Sequence, residues 1–287
     1  MKHGWTSLAA LLAFMFAHNS PGQAWTMRDP GLMGWAAGAA SVPPPGPLAP
    51  PMANLSWWFK SDGGGVKNAS GVACADGDAV AVWLNGGNSG DNLGNVTGGA
   101  SGFVWRNAGG PHGMPTVAGT ATAATRYLAS YGGSGASAPF TCFMLVRVDS
   151  ATGSPVIFCG YNAVGTIQLD YAGADGCGAN QLVVYAPGSP FCRQALPGNL
   201  MLDWTVLTVC INGASSYVRV NGTQTTTFDI GLSPSNYAQL YFGNTFGGGA
   251  YEFLGEIPEV LIYRGRTFTE EDLTAVETTY LKAKYGL

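Results

Sequence analysis

The sequence predicts an all-β protein of antiparallel strands that is closed by one C-terminal helix. From residue 55 onward, short runs rich in Val, Ile, Tyr, Phe and Trp alternate with breaks rich in Gly, Asn and Ser, as in sandwich and barrel strands. The chain has 43 glycines, which enter positive φ without steric cost and therefore favour frequent chain reversal. Hydrophobic residues make up 46% of the chain, enough to fill a packed core.

The clearest strand runs fall at residues 55–60, 79–84, 140–148, 155–161, 181–185 and 204–211. Asn212-Gly213 follows the last of these runs, and Asn221-Gly222 separates two further runs at 217–220 and 223–228. Asn-Gly between strands is a strong hairpin signal because both residues accept positive φ. These segments are therefore predicted to form a three-stranded meander.

The helix is predicted at the end of the chain. Thr269 precedes Glu270, Glu271 and Asp272 in a pattern that resembles a capping box. Four apolar side chains then recur at helical spacing on one face, namely Leu273, Val276, Tyr280 and Leu281. Gly286 ends the pattern, and the apolar face is expected to pack across the surface of a sheet.

The N-terminal segments have a different character. Residues 1–24 carry Lys2 and His3, an apolar run and small residues at Gly22 and Ala24, which is typical of a secretory signal peptide. The run is short for a bilayer span, so the alternative is an uncleaved apolar tail that anchors in a partner. Residues 25–53 are rich in Pro, Gly and Ala and indicate a linker or docking arm. The folded domain is predicted at 54–287.

Charge and cysteine usage narrow the function classes. The net charge of -4 offers no basic surface for a phosphate backbone, so nucleic acid is not an expected partner. The six cysteines include no CxxC pair, and an even count in an exported chain favours disulfides, with Cys177 and Cys192 as the first candidate pair. The alternative is that the strand cysteines Cys142, Cys159 and Cys210 are small buried apolar residues.

The C-terminal third contains five distinctive segments: Trp204-Thr-Val-Leu-Thr-Val-Cys-Ile-Asn-Gly, Tyr217-Val-Arg-Val-Asn-Gly, Tyr241-Phe-Gly-Asn, Gly255-Glu-Ile-Pro-Glu-Val-Leu-Ile-Tyr and the closing segment from Phe268. These segments resemble the concanavalin A-like lectin/glucanase superfamily, in particular its laminin G-like bacterial and phage modules, and they are the most specific part of the resemblance. At the front, Trp57-Trp-Phe-Lys-Ser-Asp and Val82-Trp-Leu-Asn are similar to the family's entry strands. The resemblance covers residues 54–287 and implies a two-sheet antiparallel jelly-roll sandwich that binds sugars, proteins or surfaces.

Hydrolysis of a glycan would need two carboxylates across the scissile bond. The candidates are Glu252, Glu256 and Glu259, of which a regular strand would place the first two on one face and Glu259 on the other. The segment at Glu256 lacks the central Asp of the family's glucanase motif. No catalytic residue is therefore predicted, and a β-glucan hydrolase is the third interpretation.

The sequence predicts no cofactor, and calcium is the one alternative that it offers. Asp76, Asp78 and Asp91 lie on Gly-rich loops and supply the oxygen ligands that calcium accepts. The alternative is that they form turns through their own hydrogen bonds. His112 is the only histidine after the leader, so a zinc site or a catalytic triad has no histidine cluster to build on.

Glycan binding needs aromatic faces and a few polar partners for hydroxyl groups. Trp57 and Trp58 are adjacent and must point to opposite faces of a regular strand. The predicted ligand-binding residues are Trp105, Asn107, Arg126 and Tyr127.

The favoured interpretation is a secreted or surface-displayed, non-catalytic carbohydrate-binding module, whose partner is a glycan or cell-surface polysaccharide. It has no membrane span once a leader is removed. The alternative is a structural or adhesive surface protein of a virion or fibre, which assembles as a homo-oligomer or with another partner through residues 25–53.

Overall fold

The computed structural model describes residues 49–62, 64–95, 102–120, 128–130, 139–149, 156–162, 165–172, 181–186, 189–195, 203–229, 239–242 and 253–287. The predicted leader at 1–24 and most of the predicted arm at 25–53 lie outside these residues and stay predictions. Within the described residues, no helix is long and apolar enough to cross a bilayer.

The described chain forms two antiparallel sheets. The strands are β1 Leu55–Lys60, β2 Val66–Lys67, β3 Val82–Trp83, β4 Leu93–Asn95, β5 Phe103–Arg106, β6 Thr116–Gly119, β7 Leu128–Ser130, β8 Phe140–Val148, β9 Val156–Asn162, β10 Gly165–Ala172, β11 Gln181–Ala186, β12 Ser189–Ala195, β13 Thr205–Ile211, β14 Ser216–Val220, β15 Thr223–Phe228, β16 Gln239–Phe242 and β17 Gly255–Arg264. The first sheet has the order β15-β14-β13-β8-β17-β6-β5, with β1 also paired to β17, and the second has the order β12-β11-β10-β9-β16-β7-β4-β3-β2.

The interior of the sandwich is filled by the inward side chains of both sheets. Trp57 and Phe59 come from β1, whereas Trp83 and Phe242 come from the second sheet, and all four are buried. The rings of Phe59, Trp83 and Phe242 lie 5.7 to 6.3 Å apart and meet at tilted or edge-on angles, as aromatic pairs prefer. Two packed antiparallel sheets with one C-terminal helix confirm the predicted fold class.

Strand β17 organises the first sheet. Its whole length pairs with β8, its first half pairs with β6, and its second half pairs with β1. The register shifts between Glu256 and Glu259, where Pro258 supplies no N–H to the ladder. This bulge leaves both Ile257 and Val260 in the core.

The same bulge corrects a prediction made from the sequence. Glu256 and Glu259 were expected on opposite faces, but both point away from the core, because the extra residue reverses the alternation between them. Glu252 lies outside the described residues.

The C-terminal helix covers the outer face of the first sheet. It begins as the α-helix Glu270–Thr274, continues through the π-helical segment Ala275–Lys282 and ends with Ala283–Tyr285. Thr269 and Asp272 form the predicted capping box, and Gly286 ends the helix with a φ of 68°. The predicted apolar face packs against strand side chains, among them Phe143, Leu145, Val206 and Leu261.

Only one of the two Asn-Gly pairs forms the predicted two-residue turn. Asn221 and Gly222 have φ values of 54° and 88° and form the predicted two-residue turn between β14 and β15. The prediction of a tight turn at Asn212-Gly213 is wrong, because a 3-10 turn at Gly213–Ser215 joins β13 to β14. The Ser216 hydroxyl accepts a hydrogen bond from Asn212 N and donates one to Gly213 O, which stabilises this longer connection.

The cysteines with described side chains do not form the expected disulfides. Cys74, Cys142 and Cys210 are free thiols. Cys142 and Cys210 are buried apolar residues, as the alternative interpretation proposed. Cys177 and the side chain of Cys192, the first candidate pair, lie outside the described part.

Candidate functional site

Two of the four predicted ligand-binding residues can be located. The indole N–H of Trp105 donates to the carbonyl of Ser61 at 2.9 Å, and its backbone N–H donates to the carbonyl of Asp78. Asn107 is exposed, and its backbone N–H donates to Asp76 Oδ1. Trp105 therefore holds two loops together, and its ring is half-buried against the core. Arg126 and Tyr127 lie outside the described residues.

Asp78, one of the three aspartates proposed for calcium, acts within a turn. Asp78 Oδ2 accepts hydrogen bonds from the backbone N–H of Ala75 and from Asn68 Nδ2, and these bonds lower the pKa of the Asp78 carboxyl. In the part of the chain that the structure describes, no three His, Cys, Asp or Glu side chains group as metal ligands. Asp76, Asp78 and Asp91 are accordingly not brought together, and calcium gains no support from the geometry.

An open pocket of about 200 Å³ lies beside β1. Its walls are formed by Trp58, Lys60, Asp62, Gly64, Gly65, Leu84, Asn85 and Gly86. Trp58, Lys60 and Asp62 occupy alternate positions along β1 and its continuation, so they share one face. Trp57 is fully in the core while Trp58 is half-buried at the pocket, which agrees with the predicted opposite orientation of the pair.

The loop opposite β1 is fixed by Asn85. Its side-chain oxygen accepts hydrogen bonds from the backbone N–H groups of Trp58 and Gly87, at 2.8 and 2.7 Å. The backbone N–H of Gly86 donates to the carbonyl of Trp58. A Cβ atom at Gly86 would lie 3.3 Å from Cε3 of the Trp58 ring, so a glycine lets the loop lie close against the indole. The wall of the pocket is thus built before any ligand arrives.

Charged groups line the mouth of the pocket. The Lys60 ammonium lies 4.4 Å from the centroid of the Trp58 ring and 3.7 Å from Asp62 Oδ1. The Lys60 and Asp62 side chains are 35% and 31% exposed, so both can reach a ligand. Asp62 Oδ2 also lies 3.0 Å from the ammonium of Lys284 on the C-terminal helix.

Glu259 lies beneath the pocket and is fully buried. One carboxylate oxygen accepts hydrogen bonds from the Trp58 indole and the Tyr280 hydroxyl. The other accepts from Lys284 Nζ at 2.7 Å and from the Tyr285 hydroxyl at 2.9 Å. Burial, followed by the Glu259 charge, raises the pKa of both tyrosines above the usual range. The carboxylate is therefore fully occupied in joining β17, β1 and the helix.

Glu256, the other candidate acid, is also engaged within the protein. Its Oε2 lies 2.9 Å from Arg147 Nη2 on β8, and its side chain is only 10% exposed. Burial raises the pKa of the Glu256 carboxyl, although the Arg147 charge opposes this effect. Of the candidate acids in the described part of the chain, neither Glu256 nor Glu259 presents a free carboxylate to a cleft.

Lys60, Asp62 and Asn85 were not predicted from the sequence as ligand-binding residues. Lys60 and Asp62 could have been identified, because Trp58, Lys60 and Asp62 alternate with the apolar Trp57 and Phe59 and so share one face of the strand. The role of Asn85 had no such signal, because its partner Trp58 is 27 residues away along the chain.

Comparisons with known proteins bear on the fold. No protein-family model matches the chain, and no curated protein matches it. Domain 4 of AbnA, a GH43 extracellular arabinanase from Geobacillus stearothermophilus solved in complex with arabinotriose, is similar with a TM-score of 0.53 and 15% identity, over 78% of this chain and 98% of that domain.

Two further structures are more distant. The binding domain of botulinum neurotoxin serotype G has a TM-score of 0.51 and 8% identity over 78% of this chain, which spans half of that structure's length. A Trypanosoma rangeli sialidase has a TM-score of 0.47, with 14% identity over 80% of this chain and 33% of the sialidase. At these identities the similarity shows the fold alone, and that fold is a β-sandwich.

Proposed function

We propose that this chain is a non-catalytic carbohydrate-binding module of the concanavalin A-like kind, which acts outside the cell and takes one sugar ring in the pocket beside β1. The observation that carries the proposal is the combination of an indole, a partly exposed ammonium and a partly exposed carboxylate around one preformed pocket. Apolar and aromatic walls with a few placed polar groups are the usual composition of a small-molecule site.

The chemistry of the pocket suits a sugar. Carbohydrate C–H groups can pack on the Trp58 ring after the Lys60 ammonium swings aside, while the Asp62 carboxylate accepts hydrogen bonds from hydroxyl groups and Lys60 donates them. The volume of about 200 Å³ is below the roughly 300–1,000 Å³ of sites for drug-sized ligands, which favours a single ring over a buried chain.

The charges favour a neutral sugar. Lys60 and Lys284 are offset by Asp62 and Glu259, so a ligand carboxylate would have to displace Asp62 from the ammonium groups. A vicinal diol needs no such exchange. The domain solved with arabinotriose gives a neutral oligosaccharide of this kind as the first probe.

The hydrolase interpretation is less favoured. Glu256 is paired with Arg147. Each carboxylate oxygen of Glu259 accepts hydrogen bonds from two donors of the protein. A general acid and a nucleophile need carboxylates that reach the scissile bond. We therefore expect glycan binding without release of reducing ends.

The test is a glycan array followed by calorimetry with the best neutral oligosaccharide, using the full chain. Lys60→Ala and Asp62→Asn are expected to weaken binding about tenfold each, the value of one hydrogen bond to a charged group. Lys67→Ala and Asp203→Asn are the matched controls, since neither residue lines the pocket. Binding that survives both pocket substitutions, or an array without hits, would refute the proposal.

A further inference from the structure

The pocket is connected to the C-terminal helix by a chain of charged contacts. Lys284 Nζ lies 2.7 Å from Glu259 Oε2 and 3.0 Å from Asp62 Oδ2, so one ammonium contacts both carboxylates. Glu259 in turn accepts the indole N–H of Trp58. Two groups that line the pocket are thereby held by a residue that does not line it.

The ion pair between Lys284 and Glu259 is largely shielded from solvent. Lys284 is 14% exposed and Glu259 is fully buried, so their ion pair is only weakly screened by solvent. Asp62 follows β1, and its backbone is held in a turn because its carbonyl accepts a hydrogen bond from Gly65 N, while its carboxylate is held by ion pairs. The contact with Lys284 is the shorter of its two ion pairs, 3.0 Å against 3.7 Å for Lys60.

From this geometry we infer that Lys284 is a positioning residue for the pocket: it fixes Asp62 directly and Trp58 through Glu259, so that ligand affinity depends on the docked C-terminal helix. The inference rests on the proposed function and adds to it a specific residue, 222 positions away from Asp62 along the chain. Preorganised polar groups bind more tightly because they lose less conformational entropy on binding.

The helix supplies its own matched control. Lys282 lies two positions before Lys284, and its ammonium donates to the carbonyl of Asn221 at the β14–β15 turn. Substitution of Lys282 removes the same charge from the same helix without contact with the pocket. A difference between the two lysines therefore separates positioning from general support of the helix.

The experiment measures oligosaccharide affinity by calorimetry, at a temperature where thermal melts show each variant folded. Lys284→Met is expected to weaken binding about tenfold, the value of one charge-assisted hydrogen bond. Lys284→Arg keeps the charge and is expected to lose less affinity than Lys284→Met. Lys282→Met should bind like the parent chain. Equal affinity of Lys284→Met and the parent would overturn the inference.

Two further measurements keep the inference testable. If Lys284→Met does not fold, Lys284→Gln keeps a hydrogen-bond donor but removes the charge that contacts Asp62 and Glu259, and it is expected to weaken binding about threefold. Unchanged affinity of that variant would then overturn the inference.

The indole N–H resonance of Trp58, assigned from its loss in Trp58→Phe, should move in Lys284→Met but not in Lys282→Met. If no glycan binds the parent chain, the proposed function fails, and this resonance alone decides whether Lys284 positions Trp58. A resonance that does not move in Lys284→Met would reject the positioning contact.

Discussion

Arg219 of β14 and Glu277 of the C-terminal helix form a buried ion pair, with Arg219 Nε 3.0 Å from Glu277 Oε1. The Thr208 hydroxyl donates to the same carboxylate, and Glu270 at the start of the helix accepts from Arg219 Nη1. These contacts fasten the helix to the meander. Together with Lys284 and Glu259 at the far end, they explain how the helix is held along its length.

Arg219→Met is expected to lower the free energy of unfolding by about 3–5 kcal/mol, because Glu277 is left buried without its cation. Urea denaturation at neutral pH measures this change. Glu270→Gln is the control, since Glu270 is 73% exposed and its pair with Arg219 is expected to contribute less than about 1 kcal/mol. Equal losses in the two variants would contradict the buried pair.

Thr269→Ala is expected to cost about 1 kcal/mol of stability, because it removes the hydroxyl that accepts from Asp272 N at the start of the helix. Thr278→Ala removes an exposed hydroxyl from the same helix and should change stability little. Thermal melts of both variants provide the comparison. A loss that is no larger in Thr269→Ala than in Thr278→Ala would exclude the capping role.

Glu256→Gln should change how stability depends on pH. Burial raises the pKa of this carboxyl above 4.5, so the native state binds the proton more tightly than the unfolded state does. The contribution of Glu256 is therefore complete below pH 4.5 and is lost as the pH rises through the higher native pKa.

The glutamine variant cannot titrate, so its stability should fall less than that of the parent over this pH range. Denaturation midpoints measured at intervals from pH 4 to 7 test the difference, with the exposed Glu271→Gln as the control. Parallel pH profiles for Glu256→Gln and the parent would show that the burial of Glu256 has no such effect.

Much of the fold could be predicted from the sequence because its strongest signals are local. Strands β1 and β8 have the predicted bounds, since each is a long apolar run between turn residues. The capping box at Thr269 and the turn at Asn221-Gly222 depend on residues within a few positions of each other. In contrast, only Val82–Trp83 forms a strand within the run predicted at 79–84.

The candidate site was harder to predict because distant residues build it. The bulge at Pro258 turns Glu259 to the helix side, and a regular alternation cannot show this reversal. The contacts of Asp62 with Lys60 and Lys284 depend on where the C-terminal helix packs on the sheet. No local sequence pattern indicates that position. Trp105 was predicted as a ligand-binding residue, and its indole N–H donates to the carbonyl of Ser61, 44 residues away along the chain, which no local pattern indicates.

The proposed sugar site is tested most directly by a crystal structure of the chain soaked with the neutral oligosaccharide that binds best in solution. We expect one sugar ring against Trp58, with hydroxyl groups within hydrogen-bonding distance of Asp62 and Lys60. A sugar bound on the second sheet, with the pocket beside β1 empty, would contradict the proposed site.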